Sequence, residues 1–240
     1  RRGASREVSV LVATSGDTGS AVANGFLDVP GIRVFVLYPK GKVSAIQECQ
    51  FTTLGRNITA LEVDGVFDDC QDLVKAVNMD SDFKATWHVG AVNSINWARL
   101  LAQVCYYVAT WLRVTEEGAD ASSRVSVVVP SGNFGNVCAA HIARQMGVPL
   151  GTLVVATNEN DVLDEFFRTG VYRPRSSDQT LATSSPSMDI SKASNLERFI
   201  WALLGPEVFV QRWAELETTG ALDLRDQLPR LREEFGFVAG

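Results

Sequence analysis

The stretch Val125-Ser126-Val127-Val128-Val129-Pro130-Ser131-Gly132-Asn133-Phe134-Gly135-Asn136 decides how this chain is read. The apolar run Val125–Val129 has the pattern of a buried strand. Ser131–Asn136 is a Gly-rich turn, and a helical pattern from about Val137 to Met146 follows it. A strand feeding such a turn into a helix makes an anion site. The first N–H groups of a helix have no intrahelical partner, and the macrodipole places partial positive charge there. Gly132 and Gly135 let the backbone approach an anion and reach positive φ. Asn133 and Asn136 add neutral donors and acceptors. The reading favours a bound phosphate over a turn that merely caps its helix.

Working towards the N-terminus, the same alternation repeats. Val8–Thr14, Ile32–Tyr38 and Asn57–Val63 read as strands. Helical patterns over about Ser20–Leu27, Ser44–Leu54 and Asp68–Val77 separate and follow them. Strands alternating with helices predict an α/β fold with parallel, doubly wound sheets. Ser94–Val114 is the longest helical pattern, with Ile95, Leu100, Leu101, Val104, Val108, Trp111 and Leu112 on one broad apolar face. Thr115–Ser123 is polar and is the best linker, so two α/β portions are expected, 1–117 and 118–240.

Towards the C-terminus, Leu150–Ala156 is the next strand, and Arg173–Ser187 reads as a long loop of the sort that is functional or mobile. Helical patterns return at Asn195–Leu204, Glu207–Thr218 and Leu224–Phe235.

The 240 residues carry 28 acidic and 22 Lys or Arg side chains, a net charge of −6. That balance disfavours a general nucleic-acid surface but leaves anionic small molecules open, since these need only local N–H groups and an Arg. Cys49, Cys70, Cys105 and Cys138 lack metal spacing, and His88 and His141 are the only histidines. No metal site is expected; the cysteines are read as buried thiols and the histidines as structural. With no signal peptide and no long apolar run, the expected location is cytoplasmic, away from membranes.

Two further turns could hold anions. Thr14-Ser15-Gly16-Asp17-Thr18-Gly19 lies at the C-terminal end of a strand, where open α/β sheets bind ligands. Its hydroxyls and N–H groups suit a carboxylate or phosphate, while Asp17 reads equally as an N-cap. Asn93-Ser94-Ile95-Asn96-Trp97-Ala98-Arg99 opens the long helix, with Asn93 or Ser94 as a cap. Asn96 and Arg99 are three apart on one face near its positive end, a setting for a second dianion. Ser185-Pro186-Ser187-Met188-Asp189-Ile190 reads on physics alone as loop before helix. Lys40 and Lys42 flank Gly41 in an exposed turn.

The four motifs Thr14–Gly19, Asn93–Leu101, Pro130–Asn136 and Ser185–Ile190, in this order along the chain, resemble the threonine synthase family, in the branch found in many bacteria and fungi. The likeness extends between them, from about Val8 to Leu204. It implies the fold-type-II, tryptophan synthase β-like architecture and the cofactor pyridoxal 5′-phosphate. The implied reaction takes O-phospho-L-homoserine and water to L-threonine and phosphate. It implies that Gly132, Asn133, Phe134, Gly135 and Asn136 cup the coenzyme phosphate, with Asp17 near the coenzyme ring. Thr14, Ser15, Asp17 and Thr18 would meet the substrate carboxylate, and Asn93, Ser94, Asn96 and Arg99 the substrate phosphate.

One element of the family pattern is missing. The family's Schiff-base lysine lies upstream of the first motif, usually beside Phe and Asp. None of Lys40, Lys42, Lys75, Lys84 and Lys192 has that context. The chain therefore reads as a central piece that would be inactive alone, with no catalytic residue of its own. The small domain would carry the substrate loop, and 118–240 part of the coenzyme domain. The alternatives are a phospho-lyase releasing 2-oxobutyrate, another fold-type-II lyase such as threonine dehydratase, and a non-catalytic anion-binding module. The oligomeric state is left open.

Overall fold

The computed structural model describes residues 7–92, 96–116, 123–233 and 236–239. The chain divides into two compact units, 1–93 and 94–240.

In the first unit the order is β1 (Val8–Ala13), α1 (Asp17–Phe26), β2 (Ile32–Pro39), α2 (Ala45–Thr52), β3 (Ile58–Val63), α3 (Phe67–Met79), α4 (Ser81–Trp87) and β4 (Val89–Ala91). The strands form one parallel sheet in the order β3-β2-β1-β4. Alternate residues of the central strands feed two separate cores, as the two-residue period of a strand requires. Val10, Val12, Val34, Val36 and Tyr38 pack with Val22 and Ala23 of α1 and Phe51 of α2. Ala13 and Leu37 pack with Cys70 and Val74 of α3 on the opposite face. Both faces of the sheet are thus covered, as the apolar run Val34–Leu37 implies.

The second unit comprises α5 (Trp97–Glu116), β5 (Val125–Pro130), α6 (Gly135–Gln145), β6 (Leu150–Ala156), α7 (Val162–Thr169), β7 (Val171–Tyr172), α8 (Leu196–Leu204), α9 (Pro206–Thr219), β8 (Leu222–Asp223), α10 (Leu228–Glu233) and β9 (Phe237–Ala239). β5, β6 and β9 form a parallel sheet in that order, and β7 and β8 an antiparallel pair. The core is aromatic. Phe134, Phe167, Phe199 and Phe237 meet with ring centroids 4.9–6.4 Å apart, a span in which aromatic pairs attract.

Several expectations are adjusted. α5 belongs to the second unit, because its Leu100, Val104 and Tyr107 are buried in the same core as α6. The compact units therefore part at 93/94 and not at 117/118. α1 and α6 each begin earlier than the apolar pattern indicates, because their first turns are built from the polar and Gly residues of the motifs. α4, β4, α7, β7, β8 and β9 are not signalled by the sequence pattern; most are too short to display a period. The pattern at Leu224–Phe235 resolves into a 3-10 turn, Arg225–Gln227, and the short α10. Cys70 and Cys138 are buried, but Cys49 and Cys105 are exposed, since each falls on the outer face of its helix.

Candidate functional site

The turn after β5 is fixed by its own side chains. Ser131 is buried, and its Oγ accepts the Phe134 N–H at 3.1 Å. Asn133 Oδ1 accepts the Gly135 N–H at 2.9 Å. Phe134 precedes α6 in the left-handed region, φ 64° and ψ 4°, and its ring is fully buried in the aromatic core. Its side chain is therefore an anchor, and only its backbone faces the turn. Asn136 and Val137 carry the helix-start amides that have no carbonyl one turn back, whereas the Cys138 N–H already bonds the Phe134 carbonyl at 2.9 Å; amides of this kind suit an anion. The Asn133 carbonyl accepts the N–H of Asn195, itself fully buried ahead of α8, at 3.0 Å. A Cβ on Gly132 would lie 3.0 Å from the Met188 carbonyl oxygen and 3.1 Å from Ile190 Cβ. Close approach of the segment 188–190 thus favours glycine at this position.

α5 presents Arg99, Gln103 and Tyr107 one turn apart along one face. The Tyr107 hydroxyl donates to the Asn136 carbonyl at 2.9 Å and contacts Asn136 Oδ1. Gln103 Oε1 lies 3.7 Å from where a Gly135 Cβ would be. Two buried atoms on this face, Arg99 Nη1 and Gln103 Oε1, have no hydrogen-bond partner among the described residues. A buried guanidinium N–H left unpaired beside a helix N-terminus is the deficit an anion would fill. Burial holds the Arg99 guanidinium below its ordinary pKa, though it stays cationic. Asn96 precedes α5, and its Oδ1 accepts the Ala98 N–H at 3.0 Å. Asn93 and Ser94 lie outside the described residues.

In the first unit, Thr14 is buried and closes its own turn. Its Oγ1 accepts the N–H groups of Gly16 at 2.9 Å and Gly19 at 2.8 Å and donates to the Gly16 carbonyl. Thr14 is thus an internal brace of the loop. Ser15 and Thr18 are half-buried and Asp17 is exposed. Asp17 Oδ1 accepts from Gln47 Nε2 at 2.5 Å, and Gln47 Oε1 accepts from Ser44 Oγ at 2.9 Å. This chain of contacts orients Asp17 from α2, thirty residues away, where no local signal in the sequence points to it.

His141, His88 and Cys138 occupy packed or capping positions. His141 sits edge-on to Phe199, and burial, with Arg144 nearby, lowers its pKa to about 4, so it is neutral near pH 7. His88 caps α4 in the left-handed region. Burial pushes the Cys138 thiol up to about 11, which makes it a poor nucleophile. All five lysines are exposed. Among the described residues no group of three or more His, Cys, Asp or Glu could hold a metal, and no helix is long and apolar enough to cross a membrane.

Residues 1–212 match the family described as pyridoxal-phosphate dependent enzyme. The chain is 55% identical over 236 residues to threonine synthase of Methylobacillus glycogenes, an alignment covering 97% of this chain and 49% of that protein. Among solved structures it is similar to the PLP-bound threonine synthase of Brucella melitensis, with TM-score 0.84 and 37% identity over 98% of this chain and 50% of that one. Threonine synthase from yeast gives TM-score 0.84 and 41% identity, covering all of this chain and 48% of that chain. The chain spans about half the length of the curated relatives it matches.

Proposed function

Since this chain belongs to the pyridoxal-phosphate dependent enzyme family, we propose that it is part of a threonine synthase, which converts O-phospho-L-homoserine and water to L-threonine and phosphate. The observation that carries this reading is the 55% identity to a threonine synthase along 97% of the chain, spanning both compact units. The unpaired buried Arg99 Nη1, on the face of α5 from which Gln103 and Tyr107 reach the start of α6, supports anion binding in the second unit.

The residues fit the coenzyme's phosphate. The Phe134 and Gly135 amides donate within the turn, to Ser131 Oγ and Asn133 Oδ1, which braces it, and the amides of Gly132, Asn133 and Asn136 are those turned to the phosphate at the helix start. When bound, pyridoxal phosphate supplies an electron sink for carbanions of the amino-acid substrate. This chain's residues bind and orient. Gly132, Asn133 and Asn136 hold the coenzyme phosphate, on a turn that Phe134 and Gly135 complete. Arg99, with Asn93, Ser94 and Asn96, holds the phosphate of the substrate; the guanidinium suits a dianion because it donates two parallel N–H groups. Ser15, Asp17 and Thr18, on a loop braced by Thr14, meet the substrate carboxylate and the coenzyme ring. The first unit then serves as the substrate-loop domain and the second as part of the coenzyme domain. The lysine that carries the coenzyme belongs to a part of the protein outside this chain, and the location is cytoplasmic.

The test is incubation of the full-length gene product with pyridoxal phosphate and O-phospho-L-homoserine, with threonine, 2-oxobutyrate and phosphate quantified. Threonine equimolar with phosphate is the expected result. Phosphate with 2-oxobutyrate would make the protein a phospho-lyase, and no phosphate release would refute the reading.

A further inference from the structure

The segment 173–195 carries a hydrogen-bond hub centred on Asp189. Asp189 is half-buried, and every partner recorded for its carboxylate is a donor. Oδ1 accepts from Asn158 Nδ2 at 2.8 Å, Asn160 Nδ2 at 3.1 Å and Thr183 Oγ1 at 2.7 Å; Oδ2 accepts the Thr183 N–H at 2.9 Å. Asn160 is itself buried and pairs both ways with Leu181, donating to its carbonyl at 3.0 Å and accepting its N–H at 2.8 Å. Asn158 also donates to Thr183 Oγ1 at 2.9 Å. The long loop is thereby tied to the residues just after β6. Only an acceptor can satisfy all four donors, which is why a carboxylate, and not an amide, fits the position.

The hub has a direct mechanical consequence. Met188 and Ile190 flank Asp189, and they are the groups packed against Gly132, at 3.0 Å and 3.1 Å from the place of its absent Cβ. The Asp189 carboxylate therefore fixes the wall on which the turn Gly132–Asn133 rests. β6, from which Asn158 and Asn160 follow, is hydrogen-bonded to β5, from which the turn issues. Strand, turn and wall form a closed frame.

We infer that Asp189 is a positioning residue for the anion cup: by holding residues 188–190 against Gly132 it sets the turn whose amides bind the coenzyme phosphate. The inference rests on the reading of Gly132–Asn136 as the phosphate cup. Asp189 touches no ligand in this scheme, so its loss should weaken recognition of the phosphate specifically.

The experiment compares pyridoxal 5′-phosphate with pyridoxal, which lacks the phosphate, in equilibrium titrations of the full-length apo gene product. Wild type is expected to prefer the phosphorylated form strongly. Asp189→Asn places an NH2 where an acceptor is needed, and should cut that preference about tenfold, while pyridoxal affinity stays within about twofold. Thr183→Val removes the hydroxyl that donates to Asp189 and accepts from Asn158 and the Ser185 N–H, but keeps the Thr183 N–H to Asp189 Oδ2; it is the milder variant and should cut it about threefold. If Asp189→Asn does not fold, Thr183→Val decides the matter alone. An unchanged preference in the folded variants overturns the inference, and so does equal weakening of both ligands, which would mark a general structural role. A wild type that does not discriminate between the two ligands overturns the phosphate-cup reading itself.

Discussion

Phe134 offers a sharp test of the turn's geometry, because its backbone and its side chain make opposite demands. The ring is fully buried against Phe167, Phe199 and Phe237, at 5.8, 5.6 and 6.0 Å between centroids. Truncating such a side chain to Ala costs about 3–5 kcal/mol, the transfer term plus the cavity. The backbone, at φ 64°, sits where a non-glycine residue carries roughly 1–2 kcal/mol of strain. Phe134→Ala loses the ring and keeps the strain. Phe134→Gly loses the same ring but relieves the strain, against about 0.5–1 kcal/mol for the greater freedom of Gly in the unfolded chain. The expected order is thus the reverse of an ordinary helical site: the Gly variant should be more stable than the Ala variant by about 0.5–1 kcal/mol. Urea unfolding followed by tryptophan fluorescence measures it, because Trp97, Trp111, Trp201 and Trp213 all lie in the second unit. A Gly variant less stable than Ala by about 1 kcal/mol would refute the left-handed geometry. An Ala variant within about 1 kcal/mol of wild type would refute the role of the ring as anchor.

Three further outcomes are expected. His141 titrates near 4 in the folded chain, lowered by burial and by Arg144, against about 6.5 when unfolded. The unfolded state therefore binds the proton first, so stability is full above pH 6.5 and falls by up to ~3 kcal/mol as the pH drops to about 4; urea midpoints across that window should slope in wild type, and the slope should be reduced in His141→Leu. Gln103→Leu removes a buried acceptor with no partner among the described residues and should leave the unliganded protein as stable or up to ~1 kcal/mol more stable in the same denaturation assay. Arg99→Ala, if the guanidinium holds the substrate phosphate, should raise the KM for O-phospho-L-homoserine in the full-length enzyme by about 30-fold or more, in line with a lost charge-assisted pair, and a KM within threefold of wild type would remove Arg99 from that role.

Much of the architecture is written locally. The alternation of apolar strands with helical patterns predicts the parallel sheets, because Val10 and Val12 must face one layer while Leu11 and Ala13 face the other. The positions of the three turns are equally legible, since Gly and short polar residues after an apolar strand have few other uses. Strands of two or three residues, such as β4 and β7, carry no period and become visible only through their partners. Phe134 reads in sequence as a member of a ligand-binding turn, yet its ring belongs to the core.

The sequence by itself determined the fold class, the order of the longer elements and which turns join a strand to a helix, because these follow from periodicity and from the chemistry of helix starts over short spans of chain. Only the tertiary structure decided which side chains brace those sites. Thr14 closes its turn on Gly16 and Gly19, Gln47 reaches Asp17 from another helix, and Asp189 gathers Asn158, Asn160 and Thr183 behind Gly132. Hydrogen bonds act over about 3 Å of space whatever the separation along the chain. A carboxylate's partners are therefore fixed by packing, and no local pattern around Ser185–Ile190 distinguishes a hub from a loop.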